Sequence, residues 1–182
     1  MKTLEQRARE AARRVLGEHN PTGQLPVPVE RIADLCGCKI ARNQDSASDI
    51  TSFAVVSAIG DRVIGLNTAQ GVRSQRFAVA HALGHHQLHA REITVCRQIR
   101  ALCRSPETVE ADETAEQQAN MFALELMLPA EAVMDAARNH LADARNIRNP
   151  ERDELIKYLG SMFNAPATAV AARLVDIAIL SP

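Results

Sequence analysis

The segment HALGHHQLH, residues 81–89, decides how this chain of 182 residues folds, and it holds four of the six histidines. Helical spacing of apolar residues runs from about Val72 through His89 and predicts one helix there. On that helix His81 and His85 lie one above the other on the same face, because they are one turn apart. Two imidazoles on adjacent turns can bind one metal ion through their ring nitrogens.

The letters around these histidines differ at one position from the H-E-x-x-H motif of zinc peptidases. In that motif the histidines bind zinc and the glutamate is the general base, but here Ala82 takes its place. A pair of histidines at this spacing is by itself a weak signal, since packing alone often produces it. Gly84 is predicted to permit the close approach of another backbone, and Phe77 and Val79 are predicted to pack the helix into the core.

A third ligand is needed, because zinc in a catalytic site takes three protein ligands and keeps one position open. The next predicted helix lies in ADETAEQQANMFALELMLP, residues 111–129, and offers Asp112, Glu113 and Glu116. The alternative is that the apolar stripe of this helix packs inward while its acidic residues are solvated. Composition favours that alternative, and spacing alone leaves both interpretations open.

The chain resembles the ImmA/IrrE-type metallopeptidases in two segments, RFAVAHALGHHQLH at 76–89 and EQQANMFALELMLP at 116–129. The resemblance covers about residues 1–130 in order, and the C-terminal helices more loosely. It implies an α+β fold: a small zincin-like domain with a short β-sheet, an active-site helix and C-terminal helices.

The resemblance also implies the site and its partner. It makes His81, His85 and Glu116 the zinc ligands, and it aligns Asn120 with the family's asparagine one turn beyond the third ligand. The implied substrate is a cognate helix-turn-helix transcription repressor, cleaved in a stress, mobile-element or antiphage regulatory pair. The implied activity is that of a zinc-dependent endopeptidase.

Ala82 departs from the family at the position of the general base. Loss of a general base typically lowers the rate about 10²–10⁴-fold, so we expect this chain to be an inactive form. One interpretation is an engineered replacement of glutamate, which the otherwise intact site favours. The alternative is a natural pseudopeptidase that acts as a zinc-binding sensor or as a repressor-binding module.

Three further residues are candidates for the site. Cys96 and Cys103 lie between the two ligand segments, so either thiolate could fill the fourth zinc position and inhibit the enzyme. The alternative is that both cysteines are packing residues that bind no metal and lie two turns apart on one apolar face of a helix. His89, one turn after His85, is a candidate for orienting a ligand or binding the substrate oxyanion; the alternative is a hydrogen-bonded histidine at the helix end.

Composition limits the class of protein. The net charge of −1 gives no general indication of nucleic-acid binding. No apolar run approaches the about 20 residues that span a bilayer, and the N-terminal segment lacks the apolar stretch of a secretory signal. We therefore expect a cytoplasmic protein with no membrane partner. Arg97, Arg100 and Arg104 are candidates for binding a nucleic acid or another activating signal, with a solvated face as the alternative. Cys36 and Cys38 are predicted to be free thiols.

The chain is predicted to be one domain, residues 1–182, with a peptidase core over about 1–130 and a C-terminal helical part over about 131–182. The last helix offers Arg173 as its only base-reading cation, so we expect these helices to pack on the core or to form a dimer contact rather than to read DNA. The other predicted helices are 3–18, 29–35, 112–128, 130–140, 151–163 and 165–179, and the predicted strands are 38–41, 51–59 and 62–66, the last two forming a hairpin.

Overall fold

The computed structural model describes residues 3–45, 49–89, 93–97, 111–143 and 152–181. Helices, a small sheet and further helices follow one another along the chain, which is the α+β order predicted. The helices are α1 (Leu4–His19), α2 (Val29–Leu35), α3 (Val72–Leu88), α4 (Ala111–Met127), α5 (Ala130–Asp143), α6 (Arg152–Met162) and α7 (Ala167–Asp176). The strands are β1 (Cys38–Asn43), β2 (Ile50–Val56), β3 (Arg62–Asn67) and β4 (Ile93–Arg97).

Two predicted elements extend three residues beyond the observed C-terminal ends. The strand predicted to reach Ile59 ends at Val56, because the chain turns at Ser57, whose carbonyl accepts a hydrogen bond from the Gly60 amide. The helix predicted over 165–179 ends at Asp176, soon before Ala178 adopts a positive φ of 58°. Such a φ lies outside the right-handed helical region, so the helix cannot continue through it.

The sheet has the strand order β1-β3-β2-β4. Strands β2 and β3 pair antiparallel, which confirms the predicted hairpin, and β1 pairs parallel to β3. Strand β4 pairs antiparallel to β2 and forms one edge of the sheet. It lies in the segment that the sequence did not assign to any element.

Strand β4 corrects one interpretation of its cysteine. Ile93 and Val95 are exposed whereas Cys96 is buried, as expected when side chains alternate between the two faces of a strand. The alternative in which Cys96 lies on an apolar helical face is therefore wrong. The register with β2 shifts at Thr51, whose hydroxyl donates to the carbonyl oxygen of Cys96 at 3.3 Å. A bulge of this kind re-aims the side chains beside it.

Helix α3 lies against the sheet and against α4. On the sheet side, the Ser52 hydroxyl donates to the carbonyl of Ala78 at 3.3 Å, and the His86 ring donates to the carbonyl of Val63 at 3.2 Å. His86 therefore packs against strand β3.

The contact between α3 and α4 depends on Gly84. A Cβ atom at this position would lie 3.2 Å from the Cα atom of Ala119 and 3.1 Å from the ring of Phe122. Because the two backbones are this close, Gly84 has the role predicted for it. Phe77 and Val79 are fully buried on α3, also as predicted.

A charged cluster joins the N-terminal, central and C-terminal helices. Glu125 of α4 accepts hydrogen bonds from Arg13 and Arg173, and Asp176 of α7 accepts them from Arg9 and Arg173. Arg173 is completely buried, so it packs within the fold and cannot contact DNA bases. Within the described ranges, no helix has both the length and the apolarity needed to cross a bilayer.

Candidate metal centre

Helix α3 supplies two histidines to one buried cluster. His81 and His85 lie a turn apart, and their Nε2 atoms are 3.1 Å from each other. The rings meet edge to face, with centroids 4.8 Å apart. Both Nε2 atoms therefore face one common point, as the helical spacing predicted.

Helix α4 brings Glu116 to this point. Its Oε2 lies 3.2 Å from Nε2 of His81, and its Oε1 lies 3.0 Å from Nε2 of His85. The side chains of the other two acidic candidates, Asp112 and Glu113, are outside the described part of the chain. Glu116 remains partly exposed, so one side of the cluster is open to solvent.

Asn120 lies behind one histidine, one turn beyond Glu116. Its Oδ1 is 2.8 Å from Nδ1 of His81, so the Nδ1–H donates to the amide oxygen. This bond leaves the lone pair of Nε2 directed at the cluster, which is how an outer partner orients a metal-binding histidine. The Nδ1 of His85 has no comparable partner among the described residues.

Cys96 reaches the same point from strand β4. One donor atom each from His81, His85, Cys96 and Glu116 can be chosen so that all four lie within 4.8 Å of one another. Cys103, the other thiol considered, lies outside the described residues. The sequence favours Cys96 only slightly, through its shorter tether to the histidine helix, because its position follows from the pairing of β4 with β2.

The four donors are electrostatically coupled. Burial lowers the pKa of His81, but hydrogen bonds to Cys96 and Glu116 outweigh it and raise that pKa to about 10. Burial raises the pKa of Cys96, but the two histidines lower it to about 7. Burial likewise raises the pKa of Glu116, and the same histidines bring it well below its ordinary value. A bound cation would replace the histidine protons and face two anionic donors.

Ala82 is fully buried on α3, directly after His81. Its methyl group carries no atom that can accept or donate a proton. Among the described residues of the cluster, Glu116 is the one carboxylate, and it faces both histidines. Position 82 therefore supplies no proton acceptor to the described cluster.

His89 ends helix α3 and contacts the helix that carries Glu116. Its Nε2 lies 3.2 Å from the carbonyl oxygen of Ala115, so the ring donates to the backbone of α4. The ring centroid is 5.5 Å from that of His85. This geometry agrees with the alternative that the sequence left open, a hydrogen-bonded histidine at the end of the helix. A catalytic role for His89 stays a prediction. The sequence contains no signal for the Ala115 carbonyl as its partner.

The donor set fits a metal ion of the zinc type. Imidazole, thiolate and carboxylate are the groups that bind zinc in proteins. Ligand atoms about 2.05 Å from an ion at tetrahedral angles are about 3.3 Å apart. The separations of 3.0 and 3.2 Å between the histidine nitrogens and the Glu116 oxygens are close to that value. Small adjustments would therefore accommodate an ion.

Comparison with known families agrees with this geometry. The model of a peptidase family described as the IrrE N-terminal-like domain matches residues 33–175, which is well over half of the chain. The matched range includes all four donors and Ala82. No match was found among curated proteins.

Proposed function

Because the chain belongs to the metallopeptidase family of the IrrE N-terminal-like domain, we propose that it binds zinc through His81, His85 and Glu116. We further propose that it recognises a helix-turn-helix repressor as its peptidase partner. In this form it binds the partner and does not cut it, since Ala82 stands where the general base belongs. The observation that carries the proposal is the juxtaposition of both histidines with Glu116 on a peptidase scaffold.

The chemistry is that of an endopeptidase site with one part missing. Zinc, when bound, supplies Lewis acidity that polarises a peptide carbonyl and acidifies water. His81 and His85 hold their Nε2 lone pairs toward the ion, and Asn120 fixes the ring of His81. A glutamate at position 82 would accept a proton from water and pass it to the leaving amine. The methyl group of Ala82 does neither.

The repressor partner rests on family membership and on the resemblance of the two ligand segments. We propose that the two proteins form a regulatory pair that responds to stress, to a mobile element or to phage, and that they act in the cytoplasm, where a transcription repressor works. The second candidate function is that of a natural pseudopeptidase, which would act as a zinc-binding sensor or bind the repressor without cutting it. The position of Cys96 beside the three proposed ligands favours this second function.

The first test is metal content. Purified protein should contain about one zinc per chain by elemental analysis, and Glu116→Gln should lower that occupancy sharply because it removes an anionic ligand. Gln75→Ala is a control on the same helix that should keep its zinc, because the Gln75 side chain bonds the carbonyls of Thr68 and Gln70 and not the histidines. A zinc-free wild-type protein would contradict the proposed site.

The second test restores the base. Ala82→Glu should cleave the cognate helix-turn-helix repressor, and Ala82→Gln should not, because glutamine cannot accept the proton. Ala82→Glu is tested alone and together with Cys96→Ala. In the double variant the Cys96 thiol cannot fill the fourth position on the ion. If the double variant holds zinc and binds the repressor but leaves it uncut, proteolysis is abandoned in favour of the pseudopeptidase function.

A further inference from the structure

We propose that Cys96 is the fourth ligand of the metal, so that the site is closed and holds the ion as a structural link rather than as a hydrolytic centre. This inference rests on the proposed function, because it requires metal binding by His81, His85 and Glu116. It adds a ligand and a role that peptidase activity does not need.

The distances support a four-ligand shell. The histidine nitrogens and the Glu116 oxygens are 3.0–3.2 Å apart, and adding the Cys96 sulfur leaves no pair of donor atoms beyond 4.8 Å. Two imidazole nitrogens, one thiolate and one carboxylate around zinc should have neighbouring donors about 3.3–3.8 Å apart. The bound of 4.8 Å exceeds that range by about 1 Å, which small rotations of the four side chains can supply.

The backbone holds Cys96 in this position. Its strand alternates, with Val95 facing solvent and Cys96 buried against the helices. The bulge at Thr51 and the hydrogen bond from its hydroxyl to the Cys96 carbonyl anchor the strand next to this residue. The thiol is therefore placed by the fold, and it is not a loop residue that happens to pass the site.

Cys38 provides a comparison within the same sheet. It is equally buried, and burial raises the pKa of its thiol to about 11. Among the described residues it belongs to no group of histidines, cysteines and carboxylates that could hold a metal. A buried cysteine in this fold is thus not automatically near metal-binding groups.

Two separate features now oppose hydrolysis. Ala82 removes the proton acceptor, and a thiolate ligand fills the position that a reacting water would need. An engineered replacement of glutamate would explain Ala82 but not Cys96, whereas a natural closed site explains both. In such a site the ion ties the edge strand β4 to α3 and α4.

Cobalt substitution tests the ligand directly. We load wild type, Cys96→Ser, Cys103→Ser and Cys38→Ser with Co²⁺ alone and record absorption spectra. A sulfur ligand gives a charge-transfer band in the near ultraviolet, and the visible bands report a bound, four-coordinate ion. X-ray absorption of the zinc forms should show one sulfur at about 2.3 Å. Circular dichroism verifies that each variant is folded.

The expected result is a charge-transfer band in wild type, Cys103→Ser and Cys38→Ser, and its loss in Cys96→Ser with visible bands retained. A wild-type shell of nitrogen and oxygen only would overturn the inference while leaving the three-ligand site intact. A band that persists in Cys96→Ser would overturn it as well, by assigning the sulfur to another thiol. Absence of any bound metal in wild type would instead overturn the proposed function itself.

Discussion

Helix α4 carries two carboxylates in opposite situations. Glu125 is 3% exposed and is paired with the guanidinium groups of Arg13 and Arg173. Glu116, on the same helix, is 35% exposed and faces the imidazoles of His81 and His85. Both carboxylates are surrounded by nitrogen donors, but the donors differ in whether they can give up their protons.

This difference distinguishes an ion-pair cluster with a purely structural role from a site that can bind and release a metal ion. Guanidinium groups keep their protons at any pH a protein experiences, so the partners of Glu125 cannot give way to a metal ion. Imidazoles can exchange a proton for a metal ion. A metal ion can therefore bind between Glu116 and its histidine partners, or leave them, while the protein stays folded. The first cluster should therefore determine stability, and the second should determine metal binding.

The largest effect is expected at Glu125. Glu125→Gln removes the α4 carboxylate of the completely buried Arg173, which keeps its bond to Asp176, so the loss of unfolding free energy should not exceed the about 3–5 kcal/mol typical of breaking a buried pair. We expect a loss up to that size in urea denaturation with a chelator present, and unchanged zinc stoichiometry in the protein that remains folded.

Glu116→Gln is the matched control for this experiment. Its side chain is partly exposed and its histidine partners can deprotonate, so we expect a stability change below about 1 kcal/mol in the chelator-treated protein. The same variant should lose zinc. Equal stability losses in the two variants would show that the clusters do not differ in the way described.

A smaller effect is expected at Asn120, which positions His81. Asn120→Ala removes the acceptor for Nδ1–H, and loss of such an outer partner typically weakens metal binding about 10–100-fold. Competition with a chromophoric chelator measures this change. Asn120→Asp keeps an acceptor at the same place and should restore affinity. If alanine and aspartate variants bind zinc equally well, the bond to Asn120 has no orienting role.

Most of the helices and the meeting of the two ligand segments could be predicted from the sequence. Helical spacing is a local signal, and it placed α2 at its observed bounds and α3 within a residue of them. Gly84 indicated a close approach of helices because glycine lacks the Cβ atom that would crowd a facing backbone. His81 and His85 followed from their spacing on one helix, whereas Glu116 was singled out from the other acidic candidates by the resemblance to the ImmA/IrrE-type metallopeptidases.

What could not be predicted depends on contacts between distant parts of the chain. Strand β4 is short, and it forms a strand because it pairs with β2, from which α3 separates it along the chain. Its own sequence therefore gave no clear signal for a strand. The position of Cys96 follows from that pairing. The cluster around Arg173 joins residues of α1, α4 and α7, and no local pattern connects them. The interpretation of segments outside the described residues stays a prediction.

The smallest expected effect concerns pH and the outer part of the structural cluster. Burial raises the pKa of Asp176, but hydrogen bonds from Arg9 and Arg173 outweigh it and lower that pKa below its ordinary value. A carboxylate with a lowered folded-state pKa stabilises the fold above its unfolded pKa of about 3.9, and this contribution is lost as pH falls through the folded value. Because Asp176 is partly exposed, we expect about 1 kcal/mol or less. Urea denaturation of wild type and Asp176→Asn at about pH 6 and about pH 3 measures it. The variant should be less stable than wild type at the higher pH, and the gap should narrow at the lower one. A gap that is the same at both pH values would mean that Asp176 does not contribute through its charge.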